Sequence, residues 1–250
     1  KEALEKKYRL NGNVFEQLLA YLDQLILHGD PGISTKYKDV SVIEILEQKM
    51  PNSLLLGACA FVLASAGGVA SGFVSAARQG TWVDTSSMIF AIGAVSIPSF
   101  ITGPLMIAVF GLWLKWLPVG GIGQWKQLIL PSLCLALPYL AYVSRLTRNS
   151  LLEVLQQPFI RTAKAKGLPG MQVIWKHAMK VAMLPVITYL GPMAAQVLTG
   201  SFIIEAVFNI TGAGSLFVNA IQNKDVFILC GAVFVYCTFL VTFNLVVDVL

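Results

Sequence analysis

Few side chains in this 250-residue chain could do covalent or acid–base chemistry, and none is spaced for it. Cys59, Cys134, Cys230 and Cys237 all lie inside apolar runs, without zinc spacing or a framework of exposed pairs. They read as small packing residues. His28 and His177 are too far apart in sequence for a paired metal motif. No GxxxxGK phosphate loop, no G-x-S-x-G elbow and no HExxH helix occurs. Asn209-Ile210-Thr211 matches the glycosylation pattern by chance. The informative segment is Arg161 to Pro185, RTAKAKGLPGMQVIWKHAMKVAMLP. It is basic and helix-compatible, and it is interrupted by Gly167, Pro169 and Gly170. Its chemistry is that of a docking surface; the plain alternative is a solvated basic loop.

The elements that flank this segment belong in a membrane. The chain is 56% hydrophobic and 12% charged, against about 25% charged in an ordinary soluble domain. No charge falls between Lys49 and Arg78, Asp84 and Lys115, Lys180 and Glu205, or Asp225 and Asp248. Each of these runs exceeds the roughly 20 residues a spanning helix needs. The uncharged run between Lys126 and Arg145 is 18 residues and also suffices. Five spans are therefore expected, at about 53–77, 87–112, 128–146, 183–205 and 227–250. The run 206–223 is rich in Gly, Asn and Gln, and predicts a loop with a short re-entrant or surface helix.

Arg78, Arg145, Arg148, Arg161, Lys164, Lys166, Lys176 and Lys180 share one side of a five-span chain. The positive-inside bias puts the 147–182 loop in the cytoplasm and residues 1–50 outside. The net charge of +5 reflects that bias and carries no clustered stripe for nucleic acid. An outside N-terminal region implies a further, N-terminal span before Lys1. Two domains are expected: an extracytoplasmic region 1–50 with amphipathic helices, and a transmembrane unit 51–250.

Residues 13–28 place Val14, Leu18, Leu22 and Leu25 on one helical face, HGDPGIS reads as a turn, and 40–49 reads as a second short amphipathic helix. Both helices suit either an external cap or the membrane interface. Gly57, Gly67, Gly68 and Gly72 in the first span favour close packing within the bundle. Ser96-Ile97-Pro98-Ser99-Phe100 predicts a kink in the second span. Pro98 with Ser96 and Ser99 could line a polar path there, or serve packing only. Pro131 and Pro138 repeat the device in the third span, and Trp113, Trp116 and Trp125 mark an interfacial belt. Arg78 and Asp84 read as a solvated pair in a short loop. No ionisable group sits at the middle of a span, where a coupled carrier needs one. Any energy for transport must then come from a partner. Ser150 to Lys166 reads as a helix, with Glu153 near its start, ended by Gly167.

Arg161-Thr162-Ala163-Lys164-Ala165-Lys166-Gly167-Leu168 resembles the EAA-type coupling loop of ABC importer permeases, and is closest to RTARAKGL of the B-type permeases of oligopeptide, dipeptide and nickel importers. Arg161 stands where the general pattern has Glu. LHGDPGIS (27–34) resembles that family's external GDLGxS, SIPSF (96–100) its third-helix motif, and residues 130–155 are similar almost throughout. GSFIIEAVFNITGAGSLFVNAIQNKD (200–225) is similar to the family's GxxVVExVFxxPGLG…RD stretch, with Thr211, Ala213 and Lys224 as departures.

The resemblance implies an all-α membrane protein, a polytopic helical bundle of the type I ABC importer permease kind. It implies a peptide permease that pairs with a paralogous permease, two ABC ATPase subunits and an extracytoplasmic solute-binding protein. It implies no cofactor in this chain, with ATP and Mg held by the partner subunits. The Arg161–Leu168 segment would dock in an ATPase groove, with Ala163 and Ala165 permitting close approach. Ser96, Pro98, Ser99 and Glu205 are the candidate substrate path. The alternative reading is a secondary transporter or channel. Cysteine labelling tests the topology: residues 30 and 165 are expected to react from opposite sides of the membrane.

Overall fold

The computed structural model describes residues 13–37 and 40–249. Residues 1–12, 38 and 39 of the expected N-terminal region, and Leu250 of the last expected span, lie outside these. Among the described residues the regular structure is helical, with one isolated bridge between Ile33 and Ser41.

Helix α1 is Val14–Leu27. Its first turn is closed by the Glu16 carboxylate, which accepts from the Asn13 backbone N–H at 3.0 Å. It buries Leu25 and exposes Val14, Phe15 and Leu18. In the following turn Asp30 accepts from Gln24 Nε2 at 2.7 Å and from the Gly32 N–H at 2.9 Å.

Helix α2, Val42–Ala77, is one helix of 36 residues. The separate short helix expected at 40–49 is therefore continuous with the first span, and Pro51 is carried inside the joined helix. A proline's lost hydrogen bond does not end a helix whose apolar stripe continues on both sides. Val42, Ile45 and Leu46 pack with Leu216, Ala220 and Ile228 and hold this extension in place.

The second span is sharply broken. Helices α3, Trp82–Ser96, and α4, Ser99–Met106, meet at 106°. Ile97 is extended (φ −90°, ψ 118°), as the residue before a proline tends to be. The expected kink is thus a full break. A π-helical stretch, Ile107–Trp113, completes the second half.

Helix α5, Trp125–Val154, runs well past the expected end at 146. The short helix α6 is Pro158–Ala165. Helix α7, Gly170–Val173, passes through a π-helical turn at Ile174–Ala178 into α8, Met179–Leu198. Together they form one apolar rod, Gly170–Leu198, so the fourth span begins and ends earlier than expected. Two short helices follow, α9 at Phe202–Val207 and α10 at Ala213–Asn223. The last span is α11, Val226–Val249.

The bundle is built on α2 and α5. A Cβ on Gly68 would stand 2.6 Å from Val143 Cβ, and one on Gly72 would stand 2.4 Å from the Ser144 carbonyl oxygen. Gly57 meets the Val197 carbonyl of α8 equally closely. With no side chain at these positions the backbones touch, which maximises dispersion where lipid offers no hydrophobic drive. Leu56, Ala60, Cys134, Val143, Val186, Met193, Ile204 and Phe208 fill the core around this contact. Gly72→Val should cost about 1–3 kcal/mol, since the carbonyl it meets cannot rotate away. Gly93→Ala, with open space around its Cβ, should be neutral. Thermal melts of both variants in detergent check this.

Candidate functional site

The polar residues gather at the two ends of the bundle. At the basic end, Pro158 occupies the first turn of α6, where a missing N–H costs nothing. The helix therefore starts at Pro158 after a turn at 155–157, and the single helix expected from Ser150 to Lys166 is two. Lys166 caps α6 and Gly167 leaves it at φ +81°. Ile160 and Ala163 are buried with Ala76, Leu151, Val154, Val173, Ala178 and Ala182. Arg161, Thr162, Lys164, Ala165, Lys166 and Gly167 are exposed, and Leu168 is half-buried. Ala163 thus faces its own subunit. Ala163, expected to permit close approach of a partner, is instead packed inward, and Ala165 is the exposed alanine of the pair.

The same end holds an ion pair that the sequence reading missed. Asp84, expected in a solvated loop with Arg78, is 4% exposed. Arg148 Nε donates to its Oδ1 at 2.6 Å and Nη2 to its Oδ2 at 2.8 Å. Ser75 Oγ of α2 donates to Oδ1 at 2.5 Å, and the Gly80 N–H donates to Oδ2 at 3.0 Å. The bidentate fork and the two further donors satisfy a carboxylate that burial would otherwise penalise.

The opposite end carries two more buried carboxylates. Glu205 is 1% exposed. Its Oε1 accepts from Ser53 Oγ at 2.6 Å and its Oε2 from the Ser215 N–H at 3.2 Å. Ser53 Oγ in turn accepts from the Ala213 N–H at 2.7 Å. A Cβ on Gly212 would stand 2.5 Å from the carboxylate carbon, and one on Gly214 would stand 3.0 Å from Oε2. Burial pushes the Glu205 pKa up, against the opposing hydrogen bonds. Asp225 caps α11: its Oδ1 accepts from the Ile228 N–H at 3.3 Å, while its Oδ2 accepts from Ser34 Oγ and the Lys36 N–H. Burial raises the Asp225 pKa, but these donors outweigh it and hold the group below its ordinary value.

Two open grooves lie in the bundle surface, the larger reaching the Glu205 end through Gly200, Ala213 and Gly214. One, of about 330 Å³, is lined by Ser99, Pro138, Tyr139, Tyr142, Tyr189 and Ser201, among others. The Tyr142 and Tyr189 rings are 4.4 Å apart. The other, of about 530 Å³, shares Tyr139 and adds Gln196, Thr199, Phe217 and Tyr236. No charged side chain lines either groove. Ser99 is the one candidate path residue that lines a groove; Ser96 and Pro98 are exposed beside the break. Glu205, expected on the path, lines neither groove, because its oxygens are turned onto Ser53 and the 212–215 loop. The tyrosines were not singled out from sequence, although Tyr139 and Tyr142 at a spacing of three share one face of α5.

Residues 68–250 match the family of binding-protein-dependent transport system inner membrane components. The chain belongs to this family. It is 46% identical over 224 residues to the oligopeptide transport system permease protein OppB of Salmonella typhimurium, covering 89% of this chain and 73% of that one. It is 39% identical over 245 residues to the dipeptide transport system permease protein DppB of Bacillus subtilis, covering 98% and 79%. Its fold is that of ABC importer permeases. A crystal structure of an amino acid ABC transporter with histidines superposes with a TM-score of 0.64 at 13% identity, covering 83% of this chain and 92% of that one. The MetNI methionine ABC transporter superposes at 0.57 with 17% identity, covering 82% and 94%.

The permease is a multi-pass inner-membrane transport component rather than an enzyme, and it works with other components of a binding-protein-dependent system. A group whose folded pKa is depressed stabilises the fold above its unfolded pKa, and that stability is lost as pH falls through the folded value. Asp225→Asn should therefore cost about 1–3 kcal/mol at neutral pH. The gap to wild type should narrow once the pH is taken below the ordinary aspartate pKa of about 3.9. Melting curves in detergent at the two pH values check the sign.

Proposed function

We propose that this permease is one half of the membrane path of an ATP-driven importer of di- or oligopeptides. The observation that carries the coupling part is α6. Its inner face is locked into the subunit by Ile160 and Ala163, while Arg161, Lys164, Ala165 and Lys166 face outward. A rigid basic helix of eight residues with a free face is suited to an acidic-rimmed groove. Under the orientation given by the positive residues, that groove belongs to one of two cytoplasmic ATPase subunits, which hold ATP and Mg. A paralogous permease completes the path. An extracytoplasmic solute-binding protein docks at the end that carries α1, α9 and α10.

Peptides as cargo rest on the OppB and DppB likeness and on the neutral, tyrosine-lined grooves. Peptides of differing charge share only their amide backbone. A path lined by Tyr, Ser, Thr and Gln can meet that backbone without selecting for charge. Ser96, Pro98 and Ser99 belong to this path through the break they form.

Gly167 supplies a test. A Cβ there meets no atom within 4 Å, so a substitution acts only through the left-handed backbone. Gly167→Asn should be tolerated and Gly167→Val should not. In the assembled complex, Gly167→Val and Ala165→Glu should each lower recovery of the ATPase subunits on pull-down and lower peptide uptake. Normal recovery and uptake in both variants would make α6 a solvated helix and overturn the assignment.

A further inference from the structure

Helix α3 lies along α5 with few of its side chains buried. It buries only Asp84 and Ala91 along its 15 residues. Trp82, Ile89, Phe90, Ile92 and Val95 are all exposed. Helix α4 beyond the break buries only Gly103. Its polar tie to the neighbouring helices is the Asp84 carboxylate, with its contacts to Ser75 on α2, the Gly80 N–H and Arg148 on α5.

Arg148 sits near the end of α5, and only the three residues 155–157 separate that helix from α6. The end of α5 and the inner face of α6 share one buried cluster, through Leu151, Val154, Ile160 and Ala163. These elements are packed into one body. At the other end of α3 lies the 106° break, with Ser99 on the neutral groove. Twelve residues, about 18 Å of helix, join Asp84 to Ser96.

We propose that Asp84 and Arg148 are positioning residues that tether α3 to the α5–α6 body, so that displacement of the docking helix is passed to the break beside Ser99. This rests on the reading of α6 as the ATPase-docking helix. A bidentate pair suits the role, because the planar fork resists both rotation and sliding of one helix against the other. A hydrophobic contact between the same helices would hold them together but let α3 roll. Bistable elements joined by such a contact convert a small shift at one site into a larger one elsewhere.

The test uses the full complex of both permeases, ATPases and binding protein, reconstituted in proteoliposomes. Peptide uptake and ATP hydrolysis are measured together, per assembled complex. The variants are Asp84→Asn, Arg148→Lys and the exchange Asp84→Arg with Arg148→Asp. Arg148→Lys keeps the charge and loses the fork. It should assemble with the ATPases and hydrolyse ATP, yet carry about tenfold less peptide per ATP, within the usual range of coupling free energies. Asp84→Asn should do the same or worse, and the exchange should recover part of the loss. Unchanged peptide per ATP in Arg148→Lys would overturn the proposal. So would losses of uptake that merely track the amount of assembled complex, since these mark a structural role alone. Failure of the ATPases to bind wild-type α6 would instead strike the docking reading on which this one rests.

Discussion

A carboxylate taken out of water at the edge of a bilayer has to be met by donors, and this fold is organised around three such meetings. Each uses a serine from another element: Ser75 across a short turn for Asp84, and Ser53 and Ser34, far away in sequence, for Glu205 and Asp225. Each adds at least one backbone N–H. A serine can approach closely, carries little rotamer entropy and leaves room for the neighbouring backbone. The effect is to pin the helix ends while leaving the lipid-facing sides free to be uniformly apolar. Glycines complete the pattern, because Gly212 and Gly214 are what allow the loop to wrap Glu205.

The middle of the bundle is held differently. There α2 touches α5 at Gly68 and Gly72 and touches α8 at Gly57. Dispersion between backbones replaces the hydrophobic effect, which has no purchase between helices already in lipid. The tight α2–α5–α8 unit contrasts with α3, α4 and α11, which bury few residues.

Much of this was legible in the sequence, and the exceptions share a cause. Uncharged runs announce the spans, and the break at Ser96–Ser99 follows from a proline preceded by an extended residue. The basic segment around Arg161 is visible as charge pattern. By contrast, Pro51 sits inside α2 and Pro158 starts a helix, and local rules alone do not separate those outcomes. Arg148 and Asp84 lie 64 residues apart, so each looks like a surface charge until the fold brings them together. The inward placement of Ala163 is hidden for the same reason: it is set by tertiary packing of a helix too short to show a clear period. Glu205 was rightly singled out as unusual, but rarity near a membrane marks a buried anchor as readily as a transport residue.

Ser53 and Ser75 lie on the same helix, 22 residues apart in sequence, and at 1.5 Å per residue their two carboxylate clusters stand about 33 Å apart along α2. That distance is close to the roughly 30 Å hydrocarbon thickness of a bilayer. α2 is therefore a ruler with a polar mark at each end. In a membrane of matching thickness both marks sit at the headgroups. A much thicker one would draw a buried carboxylate toward the acyl chains; a much thinner one would bare apolar turns of the rod to water. The helix can relieve either mismatch by tilting, but both clusters would then have to tilt with it. Lipid thickness thus acts on the two ends of the permease at once.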